Sequence, residues 1–93
     1  MTEVRAHVEV TGRVQGVGFR EFVRTIAQRL GIAGWIRNRE DGAVELAASG
    51  QASQIETLLA AVRRGPAGAN VQAVRTLAVD EHDALPKPFV IRR

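Results

Sequence analysis

Residues 5–30, RAHVEVTGRVQGVGFREFVRTIAQRL, change their hydrophobic period partway along, and that change decides the fold. From Arg5 to Thr11 polar and apolar residues alternate, so Ala6, Val8 and Val10 share one face while His7 and Glu9 share the other. Period two marks a half-buried strand, with a core behind the first set and solvent before the second. From Phe19 onward the spacing is helical: Phe19, Phe22, Val23, Ile26 and Leu30 fall on one stripe, and Gly31 stops it. Between the two, Gly12, Gly16 and Gly18 punctuate the chain. Glycine permits positive φ and lets backbone approach a ligand closely, so this segment reads as a loop.

Farther along, residues 33–39 and 43–48 read as strands joined through Asp41-Gly42, a dipeptide suited to a hairpin turn. Ile55, Leu58, Leu59 and Val62 form a second amphipathic stripe. Gly65-Pro66 ends that helix, and Arg63 and Arg64 suit the negative end of its dipole. Residues 71–79 are rich in β-branched side chains and read as a strand; Pro86 and Pro88 mark an irregular passage before a short strand at 89–92. The order predicts an α+β, ferredoxin-like βαββαβ sandwich: an antiparallel sheet, two helices on one face and a short extra C-terminal strand. One domain over residues 1–93 is expected.

Composition narrows the chemistry. With no cysteine, disulfides, thiolate metal sites and cysteine nucleophiles are excluded. Met1 to Arg5 show no signal-peptide pattern, and no apolar run reaches the ~20 residues of a membrane span, so a cytoplasmic protein with no membrane partner is expected. The formal charge is +3, and every basic residue except Lys87 is arginine. That excess suits an anionic substrate or a nucleic acid without choosing between them.

Two segments carry candidate chemistry. The loop Gln15, Gly16, Val17, Gly18, Phe19 leads from a strand into a helix, where backbone N–H groups and the helix N-terminus favour an anion. Arg20 follows with a planar fork that can grip two oxygens at once. A plain tight turn explains the glycines equally well. The Lys-Ser/Thr pair of a nucleotide P-loop and the Gly-x-Gly-x-x-Gly of a dinucleotide loop are both missing. In the second segment, Asn38 sits at a strand end before the hairpin turn. An asparagine there either caps the turn or, as an uncharged donor and acceptor, orients a water. His7 and His82 lie far apart in sequence and read as surface histidines rather than metal ligands.

Val10-x-Gly12-x-Val14-Gln15-Gly16-Val17-x-Phe19-Arg20 resembles the first signature of the acylphosphatase family. Gly34-Trp35-Ile36-Arg37-Asn38, followed by Gly42, Val44 and Gly50, resembles the second. Gly65-Pro66, Val71 and Phe89-x-Ile91-Arg92 are also similar, so the resemblance covers nearly the whole chain. Two departures are minor: Ile36 stands where a smaller Val or Ala is usual, and Pro88 where Gly is frequent. The resemblance implies that Arg20 binds the phosphate of an acyl phosphate and that Asn38 places the attacking water. It also implies that the N–H groups of Gln15, Gly16, Val17, Gly18 and Phe19 cradle the phosphate. The expected enzyme is a free-standing monomer with no metal or cofactor, and inorganic phosphate is its product and competitive inhibitor.

Two other readings compete with this one. A nucleic-acid-binding domain of this fold stacks bases on aromatics of its central strands, yet residues 5–11 and 43–48 carry none. An accessory domain of this type also begins the larger hydrogenase-maturation carbamoyltransferases. A chain of 93 residues without zinc-finger or transferase segments favours the free-standing enzyme.

Overall fold

The computed structural model describes residues 3–93. Met1 and Thr2, part of the stretch read for a signal peptide, lie outside the described residues. The elements in order are β1 (Glu3–Arg13), α1 (Phe19–Arg29), β2 (Ala33–Asn38), β3 (Val44–Gln51), α2 (Ala52–Arg64), β4 (Asn70–Thr76) and β5 (Val90–Arg92). Their sheet runs β4-β1-β3-β2-β5. β1 and β2 are both antiparallel to β3, so they are parallel to each other, and α1 is the crossover between them. The expected ferredoxin-like sandwich is present with one correction. The extra strand β5 pairs parallel with β2, so the sheet is mixed rather than wholly antiparallel.

Alternation put the correct residues of β1 inward: Val8 and Val10 are buried against the helices, and Ala6 packs at the margin of the same core. From α1 the core receives Phe19, Val23 and Ala27, with Phe22, Ile26 and Leu30 flanking them. Ile55, Leu58, Ala61 and Val62 do the same from α2. Among the described residues, no helix is long and apolar enough to cross a membrane. β3 passes into α2 without a loop. Gln51 caps the helix, and its own N–H donates to Gln54 Oε1 at 3.2 Å in a reciprocal capping box. Gly65, at φ 69°, closes α2 with its N–H on Ala61 O, as its stop signal predicts.

The opposite face of the sheet is not simply solvated. β4 and β5 occupy opposite edges, so residues 77–89 have to cross the sheet to connect them. On the way, Leu77 N–H donates to His7 O, Arg5 donates to the carbonyls of Asp80 and Asp83, and Trp35 Nε1 donates to Asp83 Oδ2 at 2.9 Å. The strand expected to reach Val79 therefore ends at Thr76, where the chain leaves the ladder. His7 and Glu9 lie on this face as predicted, but Glu9 is buried at 7% exposure rather than solvated. Arg39 and Arg75 hold its two carboxylate oxygens at 2.6 and 3.0 Å. Glu45, also buried, takes His7 Nε2 at 2.5 Å and Arg37 at 2.7 Å. Burial pushes the Glu45 carboxyl up, but the hydrogen bonds from His7 and Arg37 bring it net below its ordinary value.

The crossing segment ends in Phe89, which is wholly buried against β2. Gly34 makes that approach possible. A Cβ there would lie 2.1 Å from Ala47 O and 2.9 Å from Phe89 Cε2, at a φ of 150°. Gly34→Ala is expected to cost about 3 kcal/mol or more, the upper range for overpacking a closed core. Urea unfolding reads this directly, and a midpoint near that of the wild type would contradict the packing described.

Candidate active site

Strand topology brings the two candidate segments to one end of the sheet. Val10 and Asn38 both pair with Val44, one from each side of β3. The carboxyl ends of β1 and β2 therefore lie two strand spacings apart, on the order of 10 Å. β1 continues into the glycine loop and the N-terminus of α1, while β2 ends at Asn38. Along β2 the side chains alternate, so Ile36 and Asn38 share the helix-side face and Arg37 turns to Glu45 on the other. Asn38 is thereby aimed at the start of α1.

An open cavity of about 340 Å³ lies between them, lined by Gly16, Gly18, Phe19, Arg20 and Asn38. Val14 and Ile91 supply apolar wall, and Glu21 and Arg93 also border it. Five of the seven sequence-predicted site residues thus meet around one space. Gln15 and Val17 do not line it. Val17 packs its side chain against the core, and Gln15 turns its side chain to the hairpin, with Nε2 2.8 Å from Arg39 O and 2.9 Å from Ala43 O. Phe19 contributes backbone alone, since its ring is core.

The loop backbone has donors to spare. Among the described residues, no carbonyl or side-chain acceptor takes a hydrogen bond from the N–H groups of Gln15 to Phe19. Gly18, the N-cap of α1, sits at φ 77° and offers no side chain to the first turn, which leaves that turn's N–H groups free as well. Consecutive unpaired N–H groups at a helix start form an anion site. The glycines place backbone where a Cβ at positive φ would be strained.

Charge at the cavity favours an anion. Among the described residues Arg20 enters no ion pair, whereas Glu21 beside it is paired with Arg24. Near the hairpin, Asp41 is paired with Arg39 at 2.5 Å. The Ala43 N–H, followed by Arg39, holds the Asp41 carboxyl below its ordinary value. Asp41 Oδ1 accepts that N–H at 3.1 Å and so caps the turn. Asn38 does not. Its Oδ1 is buried and takes no hydrogen bond among the described residues, while Asn38 itself lines the cavity. No three His, Asp or Glu side chains cluster among the described residues.

The fold and site together define a ferredoxin-like sandwich with a cavity bordered by unpaired backbone N–H groups where the glycine loop enters α1. The family model described as Acylphosphatase matches residues 6–91. An acylphosphatase of Salinibacter ruber is 47% identical over 92 residues, covering 99% of this chain and 96% of that protein. The solved acylphosphatase from Coxiella burnetii superposes with a TM-score of 0.82 at 38% identity, over 97% of this chain and 93% of that one. The same fold occurs within a longer protein, T. kodakarensis HypF. There the TM-score is 0.82 and the identity 26%, and the match covers 97% of this chain but 12% of that chain. The chain belongs to the acylphosphatase family.

Proposed function

We propose that this protein hydrolyses the carboxyl-phosphate bond of acyl phosphates, releasing a carboxylate and inorganic phosphate. The observation that carries the assignment of roles is the convergence of Asn38, Arg20 and the free loop N–H groups on one cavity. Arg20 and the N–H groups of residues 15–19 bind the phosphoryl oxygens. Asn38 accepts a hydrogen bond from water and directs its oxygen at phosphorus, opposite the carboxylate that leaves. The P–O bond to water forms as the P–O bond to the acyl group breaks, and the proton of the water passes to a phosphoryl oxygen.

Such a site needs no general acid. A carboxylate leaving group has a conjugate-acid pKa of about 4, so it departs without being protonated. Phosphoryl transfer goes through a loose transition state whose charge is spread over three oxygens, which makes positioning and electrostatics the main contributions. The same reading covers a cytoplasmic, monomeric enzyme that binds neither nucleic acid nor cofactor.

Benzoyl phosphate tests the proposal. Phosphate release is expected to continue unchanged in EDTA, and inorganic phosphate is expected to inhibit competitively because it occupies the same cradle. Turnover that vanished in EDTA and returned with Mg²⁺ would contradict it, as would purely noncompetitive inhibition by phosphate.

A further inference from the structure

We propose that the side chain of Gln15 is a positioning residue for the reaction, holding the anion loop and Asn38 in register. The inference rests on the roles proposed for Asn38 and the loop, and it adds a link between them. Gln15 Nε2 donates to Arg39 O at 2.8 Å and to Ala43 O at 2.9 Å. These are the carbonyls that close the β2–β3 turn: Arg39 N–H donates to Ala43 O at 2.8 Å, and Gly42 N–H donates to Arg39 O at 3.2 Å. Each carbonyl has two lone pairs, so Gln15 takes the one that the turn leaves over on each.

The chemistry is particular to a primary amide. One NH₂ group carries two hydrogens, and here each meets a different carbonyl. A carboxylate at the same reach has no hydrogen to give, and a methionine fills similar space without a donor. The two carbonyls belong to the neighbours of the Asn38–Val44 pair, while Gln15 itself directly precedes Gly16 of the cavity. The clamp therefore joins the backbone that would hold phosphate to the strand end that would hold water. Catalysis by placement is sensitive to this distance, since a displacement of about 1 Å can cost on the order of 10²-fold in rate.

A role in mere hairpin stability makes a different prediction from a role in register. Gln15→Met keeps the backbone N–H and removes both donors; Gln15→Glu does the same with a charge. Both variants are expected to lose about 10-fold or more in kcat per folded molecule, with inorganic phosphate binding little changed. Because Gln15 would act through Asn38, Gln15→Met added to Asn38→Ala is expected to lower kcat little further. The proposal is overturned if Gln15→Met keeps wild-type kcat, if the two losses multiply, or if both variants fail to fold. Wild-type turnover in Asn38→Ala alone would instead remove the water-placing role, and the Gln15 link with it.

Discussion

Arg20→Lys is expected to lose nearly as much kcat/KM as Arg20→Ala, each falling by at least about 10²-fold. Arg20 sits in the first turn of α1, borders the cavity and enters no ion pair among the described residues. Its guanidinium is free for a ligand, while Arg37 and Arg39 are occupied by Glu45, Glu9 and Asp41. A guanidinium presents two parallel N–H groups that match two oxygens of a phosphoryl group. Lysine restores the charge as a point and leaves one of those oxygens without its donor. Both variants are expected to weaken inorganic phosphate binding, because the contact exists in the ground state too. The fold should survive, since removing Arg20 breaks no ion pair among the described residues. Steady-state kinetics and phosphate calorimetry on the two variants check this. Retention of most of kcat/KM by Arg20→Lys would show that charge alone suffices.

Much of the fold was legible because burial leaves a period. Ala6, Val8 and Val10 at period two, then Phe19, Val23 and Ile26 at helical spacing, record which side of each element meets the core. Alternation reports a face but not a depth. Glu9 lies on the predicted outer face yet is buried, because Arg39 and Arg75 reach it from the hairpin and from β4. The path of residues 77–89 left no period at all. Its course is held by Arg5, Trp35 and backbone carbonyls, contacts that span up to 78 positions in sequence. β-branched residues extended the reading of β4 to Val79, whereas the last ladder partner on β1 stands opposite Thr76. The parallel pairing of β5 with β2 is likewise a long-range choice that local pattern does not carry.

The site divides in a similar way. Glycines before a helix allow either an anion loop or a plain tight turn, and Arg20 follows them directly. In sequence Asn38 reads either as a turn cap or as chemistry; in the structure it is Asp41 that accepts the Ala43 N–H and caps the turn. The shared pairing of Val10 and Asn38 with Val44 is what unites the two segments. The Gln15 clamp was not readable, because both of its acceptors are backbone carbonyls and any residue at 39 and 43 supplies them.

Asn38→Ala carries the other large effect, a fall in kcat of about 10²-fold or more. If Asn38 places water and does not grip phosphate, removing its amide leaves the cradle of Arg20 and the loop N–H groups in place. Phosphate affinity should then stay close to that of the wild type, in contrast to the Arg20 variants. Stability should not fall by the ~1 kcal/mol of a lost cap, because Asp41 holds the turn. The most direct measurement of the division of labour is kcat on benzoyl phosphate together with phosphate calorimetry, on one preparation of folded Asn38→Ala. The account predicts that turnover collapses while phosphate binds as tightly as before; a folded variant that turns over at the wild-type rate, or one that loses phosphate and turnover in equal measure, would contradict it.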